Sequence, residues 1–338
     1  MLSFLTPRTA VRAAALQSRT RCMSTYKPDI NAIKKLRAAS EAPLKDVKNA
    51  LAATNGDFPA AFEWLRKKGI ASATAKAGRT TGEGLIGVHI SGNTGAMVEV
   101  NSETDFVAMN DKFQELVSQV STALLNSNDI AHSFTNELSG EALGAVVVSD
   151  DAGKPLTVAE KVPELVGKVG ENVVVRRGVK FQVAEGTICS YLHNTAGNGL
   201  GRAGAIVALE YPAGVDADKQ EQISNLGKRL AMHIVAAKPK FLSREVVPED
   251  VIAKERAFLS EQVKDSGKPA HIVEKMVDGR MNKFFSEMTL MDQDHFIEEG
   301  NPKVGEFVQK TAKSLGVDVK VAAYQRYEIG ESKDEASA

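Results

Sequence analysis

The sequence predicts an α+β fold in which a small helical bundle precedes a larger part built from two similar α+β subdomains. Three helix signals follow one another in residues 28–70. Beyond them, a β-hairpin followed by an amphipathic helix occurs twice, starting near residues 84 and 186. Two charged helical segments within residues 248–285, separated by a Gly-Lys-Pro turn, predict a protruding antiparallel helical hairpin.

The amino-terminal bundle, residues 26–70, is predicted from the residues that begin and end its three helices. Pro28-Asp29, Pro43 and Asp57 begin the helices. Lys67-Lys68-Gly69 predicts the end of the third helix, with two cations at the negative end of the helix dipole. A bundle of about forty residues is near the lower size limit for an independent core. The small residues at 71–83 are interpreted as a linker.

The two subdomains, residues 84–185 and 186–330, are predicted from an internal repeat. In the first, Gly84-Leu85-Ile86 leads through Asn93-Thr94-Gly95 to an alternating apolar run. In the second, Gly186-Thr187-Ile188 leads through a longer loop to a similar run. The alternative interpretation, two unrelated hairpins, is less economical because it does not explain why the pattern repeats.

A third strand is expected in each subdomain, over residues 172–177 and 317–329. Each subdomain then has an antiparallel three-stranded sheet with helices on one side. Residues 137–165 are poorly patterned and are interpreted as a peripheral insertion. Residues 331–338 are interpreted as a charged tail.

Composition argues against several classes of partner and site. The chain of 338 residues has 42 Lys and Arg against 43 Asp and Glu, without the basic excess of a nucleic-acid binder, so we expect no direct nucleic-acid partner. It has no apolar run long enough to span a bilayer, and we expect no membrane partner. The two cysteines, Cys22 and Cys189, and six scattered histidines predict neither a disulfide framework nor a metal site.

Residues 1–25 have the composition of a mitochondrial transit peptide. They contain four arginines and no acidic residue, and their apolar residues recur at helical spacing. We therefore expect the mature protein in the mitochondrial matrix. The alternative is a disordered tail on a cytosolic protein.

A glycine-rich string at residues 199–204 matches the spacing G-x-G-x-x-G. A dinucleotide site requires such a loop to begin a helix, whose N-terminus holds the pyrophosphate. Here the loop leads into residues 205–209, an apolar run that predicts a strand, so we expect no cofactor. The sequence also lacks Walker A, H-E-x-x-H and G-x-S-x-G motifs. It therefore predicts a protein that is not an enzyme and has no catalytic residues.

The most informative segment is residues 101–108, Asn-Ser-Glu-Thr-Asp-Phe-Val-Ala, between a predicted strand and a predicted helix. Neighbouring side chains in an extended chain point in opposite directions, so Asp105 and Phe106 are not both expected in one core. At least one of them is available to a partner. The alternative is an Asp that caps the helix beside a Phe in the core.

The string Glu103-Thr104-Asp105-Phe106-Val107-Ala108 resembles the signature of the elongation factor Ts family, the nucleotide exchange factors of elongation factor Tu. Residues 36–69 and 266–284 are similar to further strings of that family. The resemblance covers residues 30–70, 83–120, 167–210 and 225–330. It implies a ubiquitin-associated-like (UBA-like) fold for the amino-terminal bundle and a long, bacterial-style helical hairpin. Ser40-Glu41 departs from the usual Thr-Gly, and Val47 stands where Cys is common.

The resemblance implies a guanine-nucleotide exchange factor of mitochondrial translation elongation, with mitochondrial elongation factor Tu as its partner. It implies that Asp105 and Phe106, flanked by Thr104 and Val107, enter the partner near its Mg²⁺ and phosphate site. Phe106 would be a wedge between partner helices, and Asp105 would disturb the polar network that holds the metal.

The resemblance also implies further partner contacts, at Arg37, Leu44 and Lys48 in the bundle and at Val169 and His193 in the subdomains. Val169 is equally explained as a core residue at a strand edge, and His193 as a structural histidine with satisfied hydrogen bonds. The helical hairpin has three open uses: self-association, contact with the partner, or simple solvation. Two other functions remain open at this point, a ubiquitin-type adaptor using residues 28–70 and an enzyme using the loop at 199–204.

Overall fold

The computed structural model describes residues 26–128, 130, 132–134, 137–150, 153–264 and 269–331. The predicted transit peptide, residues 332–338 of the predicted tail and residues 265–268 of the hairpin turn lie outside the described residues. The mixed helix and strand content confirms the predicted α+β class. The described residues form two compact units that divide between Leu65 and Arg66.

The elements follow in chain order. The helices are α1 (Ile30–Ser40), α2 (Leu44–Ala53), α3 (Phe58–Lys76), α4 (Asp105–Ala108), α5 (Asp111–Asn126), α6 (Gly140–Gly144), α7 (Val158–Val169), α8 (Ala217–Ala237), α9 (Glu249–Lys264), α10 (Ala270–Met288) and α11 (Val304–Leu315). The strands are β1 (Glu83–Ser91), β2 (Thr94–Ser102), β3 (Leu138–Ser139), β4 (Val147–Ser149), β5 (Pro155–Thr157), β6 (Val173–Gln182), β7 (Gly186–Gly197), β8 (Leu200–Glu210) and β9 (Lys320–Glu328).

The first unit is helical, and its helices begin at the predicted residues. The Asp29 carboxylate caps α1 by accepting hydrogen bonds from the backbone N–H groups of Asn31 (2.6 Å) and Ala32 (2.9 Å). Asp57 caps α3 in the same way through the N–H of Ala60 (2.8 Å). A small apolar core joins the helices and includes the fully buried Leu36, Val47, Ala50, Leu51 and Ala61.

The observed length of helix α3 corrects the predicted bounds of the linker. The helix runs to Lys76, so about half of residues 71–83 is helical and Gly69 lies inside the helix. Residues 70–76 contain three alanines, the strongest helix formers. Gly69 instead allows a close helix crossing, since a Cβ on Gly167 of α7 would lie 3.0 Å from the Cα of Gly69.

Besides the two-stranded sheet of β4 and β5, the second unit contains one large antiparallel sheet where two three-stranded sheets were expected. Among the described residues it has seven strands in the order β3-β6-β2-β1-β8-β7, with β9 also paired to β8. The expected third strands are β6 and β9. The two three-stranded groups join because the start of β8 pairs with β1 at Gly87–Leu200 and Ile86–Gly201. The Val88 N–H also donates to the Gly199 carbonyl at 2.8 Å.

Alternating side chains along the strands divide the core of this unit. On one face, α5 covers one half of the sheet and α8 covers the other half. The opposite face carries a third apolar cluster to which both halves contribute, including Ile86, Met97 and Ile206. This shared cluster, together with the β1–β8 pairing, joins the two predicted subdomains. The expectation of a peripheral insertion at 137–165 is wrong for several positions, because Leu143 and Val158 are buried in the α5 cluster.

A buried ionic network crosses the sheet. Glu99 on β2 is fully buried and accepts hydrogen bonds from Arg177 Nε (2.5 Å) and Arg176 Nη1 (2.8 Å) on β6. The Arg177 guanidinium also lies 4.3 Å from the ring centre of Tyr327 on β9. The network therefore ties strands from both halves of the sheet together.

Helices α9 and α10 form the predicted hairpin. Leu259, Val263, Val277 and Met281 are buried between them. Arg256 pairs with Asp278 at 2.9 Å on the outside. Within the described part of the chain, none of the helices combines the length and apolar character needed to cross a membrane.

Candidate functional site

The candidate site is the double turn between β2 and α5, which places a four-residue helix, α4, between two caps. Thr104 is the N-cap of α4, and its hydroxyl accepts a hydrogen bond from the Val107 N–H at 3.4 Å. Asn110 then caps α5 through the Lys112 N–H at 2.9 Å. Two polar caps within seven residues begin two helices in quick succession, so that Asp105 and Phe106 lie in a short helix of their own, where both are exposed.

The exposed face of α4 is apolar. The Phe106 side chain is 81% exposed and that of Met109 is 69% exposed. Residues three apart in a helical turn share a face, so these two side chains form one apolar surface, with the exposed Asp105 beside it. The alternative of a capping Asp next to a core Phe is wrong, because Thr104 is the cap and the Phe106 ring is in solvent.

The buried face of α4 anchors it to the unit. Val107 is 7% exposed and Ala108 is 3% exposed, and both pack in the cluster under α5. Val107 was predicted among the partner contacts, and the structure corrects this for its side chain, which packs in the core. The 3.6-residue period explains the difference, because Phe106 and Val107 project about 100° apart around the helix axis.

A reciprocal pair of carboxylates holds this turn to the segment that follows α7, and we call it the Glu103–Glu171 clamp. Glu171 accepts hydrogen bonds from the Thr104 N–H (3.1 Å) and from the Thr104 hydroxyl (3.0 Å). Glu103 accepts one from the Asn172 N–H at 2.6 Å. Each segment therefore supplies a carboxylate that accepts hydrogen bonds from the other segment.

The chain that leaves α3 also reaches the clamp. The Arg79 guanidinium lies 3.4 Å from the Glu103 carboxylate, and the Arg79 carbonyl accepts a hydrogen bond from the Asn172 side chain at 3.1 Å. Part of the predicted linker is therefore bound to the candidate site.

The other predicted contact residues lie in three places. Arg37, Leu44 and Lys48 are exposed on α1 and α2 of the first unit, and Leu44 is 42% exposed. Val169 is the last residue of α7, half-buried against the α5 cluster, and not at a strand edge. His193 is exposed on β7, where its Nδ1 lies 3.2 Å from the Tyr191 hydroxyl.

Sequence reasoning missed three residues of this site. Met109 is recognisable afterwards as an apolar residue at helical spacing from Phe106. Glu103 begins the recognised string, but neither it nor Glu171 gave a local signal of their hydrogen bonds, because their partners lie 69 and 67 residues away along the chain.

The glycine-rich string at 199–204 lies at the turn from β7 into β8, where Gly199 has φ of +75°. It continues into a strand, so it lacks the helix N-terminus that binds pyrophosphate. Among the described residues, no three His, Cys, Asp or Glu side chains are grouped so that they could hold a metal ion.

Comparison with known proteins adds to this geometry. The family model described as elongation factor Ts matches residues 103–331, beginning at the clamp. The elongation factor Ts of Paramagnetospirillum magneticum is 40% identical over 299 residues, covering 88% of this chain and 90% of that protein. Those of Bartonella henselae and Rhizorhabdus wittichii are 41% and 42% identical over 299 and 302 residues, covering 88% and 89% of this chain and 92% of each relative.

Proposed function

The chain belongs to the elongation factor Ts family, and on this premise we propose that it is a guanine-nucleotide exchange factor of translation elongation. Its partner in this proposal is elongation factor Tu in the GDP state. The composition of residues 1–25 supports the mitochondrial form of that partner and a location in the mitochondrial matrix.

The proposed mechanism is a coupling of two binding equilibria. A GTPase of this kind holds GDP through backbone amides that cradle the phosphates and through a bridging Mg²⁺. A protein that binds the nucleotide-free state more tightly than the GDP state lowers the affinity for GDP by the same factor. This needs no covalent chemistry, so we propose that the chain is not an enzyme.

The single observation that carries the proposal is the exposure of Phe106 on a turn that the rest of the unit holds in place. Covering a Phe side chain is worth about 1.5–3 kcal/mol, or roughly one to two decades in affinity. This favours Phe106 as the wedge between partner helices, supplemented by Met109. Asp105, one residue earlier, brings a negative charge that competes with the polar groups holding Mg²⁺.

If the coupling spans several decades, one ring cannot supply all of it, and we propose that other surfaces contribute. In this proposal the first unit is a UBA-like bundle that contacts the nucleotide-binding domain of the partner through Arg37, Leu44 and Lys48. Their exposure supports this assignment. The exposed His193 and the backbone near Val169 are further contacts. Self-association through the α9–α10 hairpin stays a prediction, which sedimentation of the purified chain at several concentrations would test.

The experiment is release of a fluorescent GDP from elongation factor Tu. The wild-type chain is expected to accelerate release, and Asp105→Asn, which keeps the side-chain shape but removes the charge, is expected to slow it. Since interactions of a charged group are worth about 1.5–3 kcal/mol, a fall of roughly ten-fold or more is expected. The exposed Asp218→Asn on α8 is the matched control. Equal rates for wild type and Asp105→Asn would contradict the role of the charge.

A further inference from the structure

Helix α4 cannot hold its own geometry. It has four residues, well below the length at which an isolated helix is stable in water. Its exposed face carries Phe106 and Met109, which make no core contact to fix them. Val107 and Ala108 anchor one side of α4 in the core, so the direction in which Phe106 points depends further on what fixes the N-cap, Thr104.

Glu171 fixes that N-cap through two hydrogen bonds. Its carboxylate accepts from both the N–H and the hydroxyl of Thr104. An ionised carboxylate can only accept hydrogen bonds, so the Thr104 hydroxyl is the donor in its hydrogen bond with Glu171. The lone pairs of the same oxygen are then left for the Val107 N–H, the first-turn donor of α4.

We propose that Glu171 is a positioning residue for nucleotide exchange, an inference that rests on the proposed function. It acts through Thr104, by keeping α4 in the orientation that presents Phe106 and Met109 together. Glu103 completes the Glu103–Glu171 clamp from the other side, since its bond to the Asn172 N–H holds the segment that carries Glu171. Charge-assisted bonds of this kind are stronger than neutral ones.

The chain contains a chemically matched control. At the start of α7, Glu160 accepts hydrogen bonds from the N–H and the hydroxyl of Thr157, both at 2.9 Å. This Thr–Glu pair has the same hydrogen bonds as Thr104 and Glu171. It lies at the start of α7, whereas Glu171 lies just beyond the end of α7. Glu160→Ala therefore removes the same type of bonds without touching the α4 turn.

The experiment measures GDP release from elongation factor Tu over a range of concentrations of the full chain. Glu171→Ala is expected to lower the maximal release rate by about 10-fold, the equivalent of one charge-assisted hydrogen bond. Glu171→Gln keeps an accepting oxygen and is expected to recover part of the loss. Glu160→Ala is expected to exchange at the wild-type rate. Wild-type rates for Glu171→Ala, or an equal loss in Glu160→Ala, would overturn the proposal.

Two further measurements separate positioning from a general loss of structure. In a Phe106→Ala background, Glu171→Ala is expected to have a smaller additional effect, since the ring is gone and only Asp105 and Met109 remain to be positioned. The same 10-fold factor in both backgrounds would overturn the proposal. Second, Glu171→Ala is expected to speed amide hydrogen exchange at Val107 and Met109 in the isolated chain. A wild-type chain that leaves GDP release unchanged overturns the proposed function, whereas the hydrogen-exchange result tests the clamp alone.

Discussion

Replacing Phe106 with alanine separates partner binding from folding, because the ring is 81% exposed in the free chain. Removing a side chain that is mostly in solvent is expected to change the free energy of unfolding by less than about 0.5 kcal/mol. Burial of a whole Phe side chain is worth about 1.5–3 kcal/mol, and the 81% that remains to be covered corresponds to about 1.2–2.4 kcal/mol. That range predicts a loss of roughly 8- to 60-fold in the affinity for the nucleotide-free partner.

The assay is release of fluorescent GDP from elongation factor Tu at increasing concentrations of the Phe106→Ala chain. If the ring is inserted only as GDP leaves, the maximal rate falls and the half-saturating concentration changes little. Phe296→Ala is the matched control, because that ring is also exposed, at 60%, and lies outside the α9–α10 hairpin and the proposed partner contacts. It is expected to release GDP at the wild-type rate.

Two results would refute this reasoning. Release at the wild-type rate by Phe106→Ala would show that the ring is not the wedge. A large drop in unfolding free energy for the same variant would show that the ring packs in the free chain, and the loss of exchange would then have a structural cause.

The remaining predictions concern stability. Glu99→Ala removes the near carboxylate of Arg177, which is 1% exposed, and leaves it only that of Glu137 at 3.5 Å, so it should lower the free energy of unfolding by about 3–5 kcal/mol in urea titrations. The control Glu83→Ala breaks a partly exposed pair with Arg202 and should cost no more than about 1 kcal/mol, so equal losses would contradict the argument. Burial lowers the pKa of His295 from its ordinary value of 6.5 to about 4, so the unfolded chain takes up the proton first as the pH falls. The stability contribution of neutral His295 is complete above pH 6.5 and is lost as the pH falls toward 4. His295→Asn should flatten the pH dependence of the urea unfolding midpoint over that window. An unchanged pH dependence would contradict the assignment to His295.

The parts of the fold that sequence reasoning predicted well depend on neighbouring residues. Asp29 and Asp57 begin helices because a capping carboxylate needs only the next three N–H groups of its own chain. The hairpin of β1 and β2 follows from alternation around a Gly-rich turn. The exposure of at least one residue of the Asp105–Phe106 pair was also predicted, but from extended-chain geometry, whereas both residues are exposed in the short helix α4.

The corrections share a different cause. Gly69 resembles a helix stop, but it lies within α3 because it faces Gly167 in another helix. Residues 137–165 lack a clear pattern because their apolar side chains fill gaps in a core built by α5 and the sheet. Val107 resembles a contact residue because it belongs to the recognised string, but the helical period turns it inward.

The amino-acid sequence was sufficient for the family, the α+β class and the segment that carries the candidate site, since caps, periodicity and short strings are written in consecutive residues. It was not sufficient for the union of the two sheet halves or for the Glu103–Glu171 clamp. Those features join residues that are distant along the chain, and such pairs are selected by the free energy of the whole packed unit rather than by local preference. The orientation of Phe106 therefore could not be read from the sequence, because it depends on the contact between Glu171 and Thr104 that only folding creates.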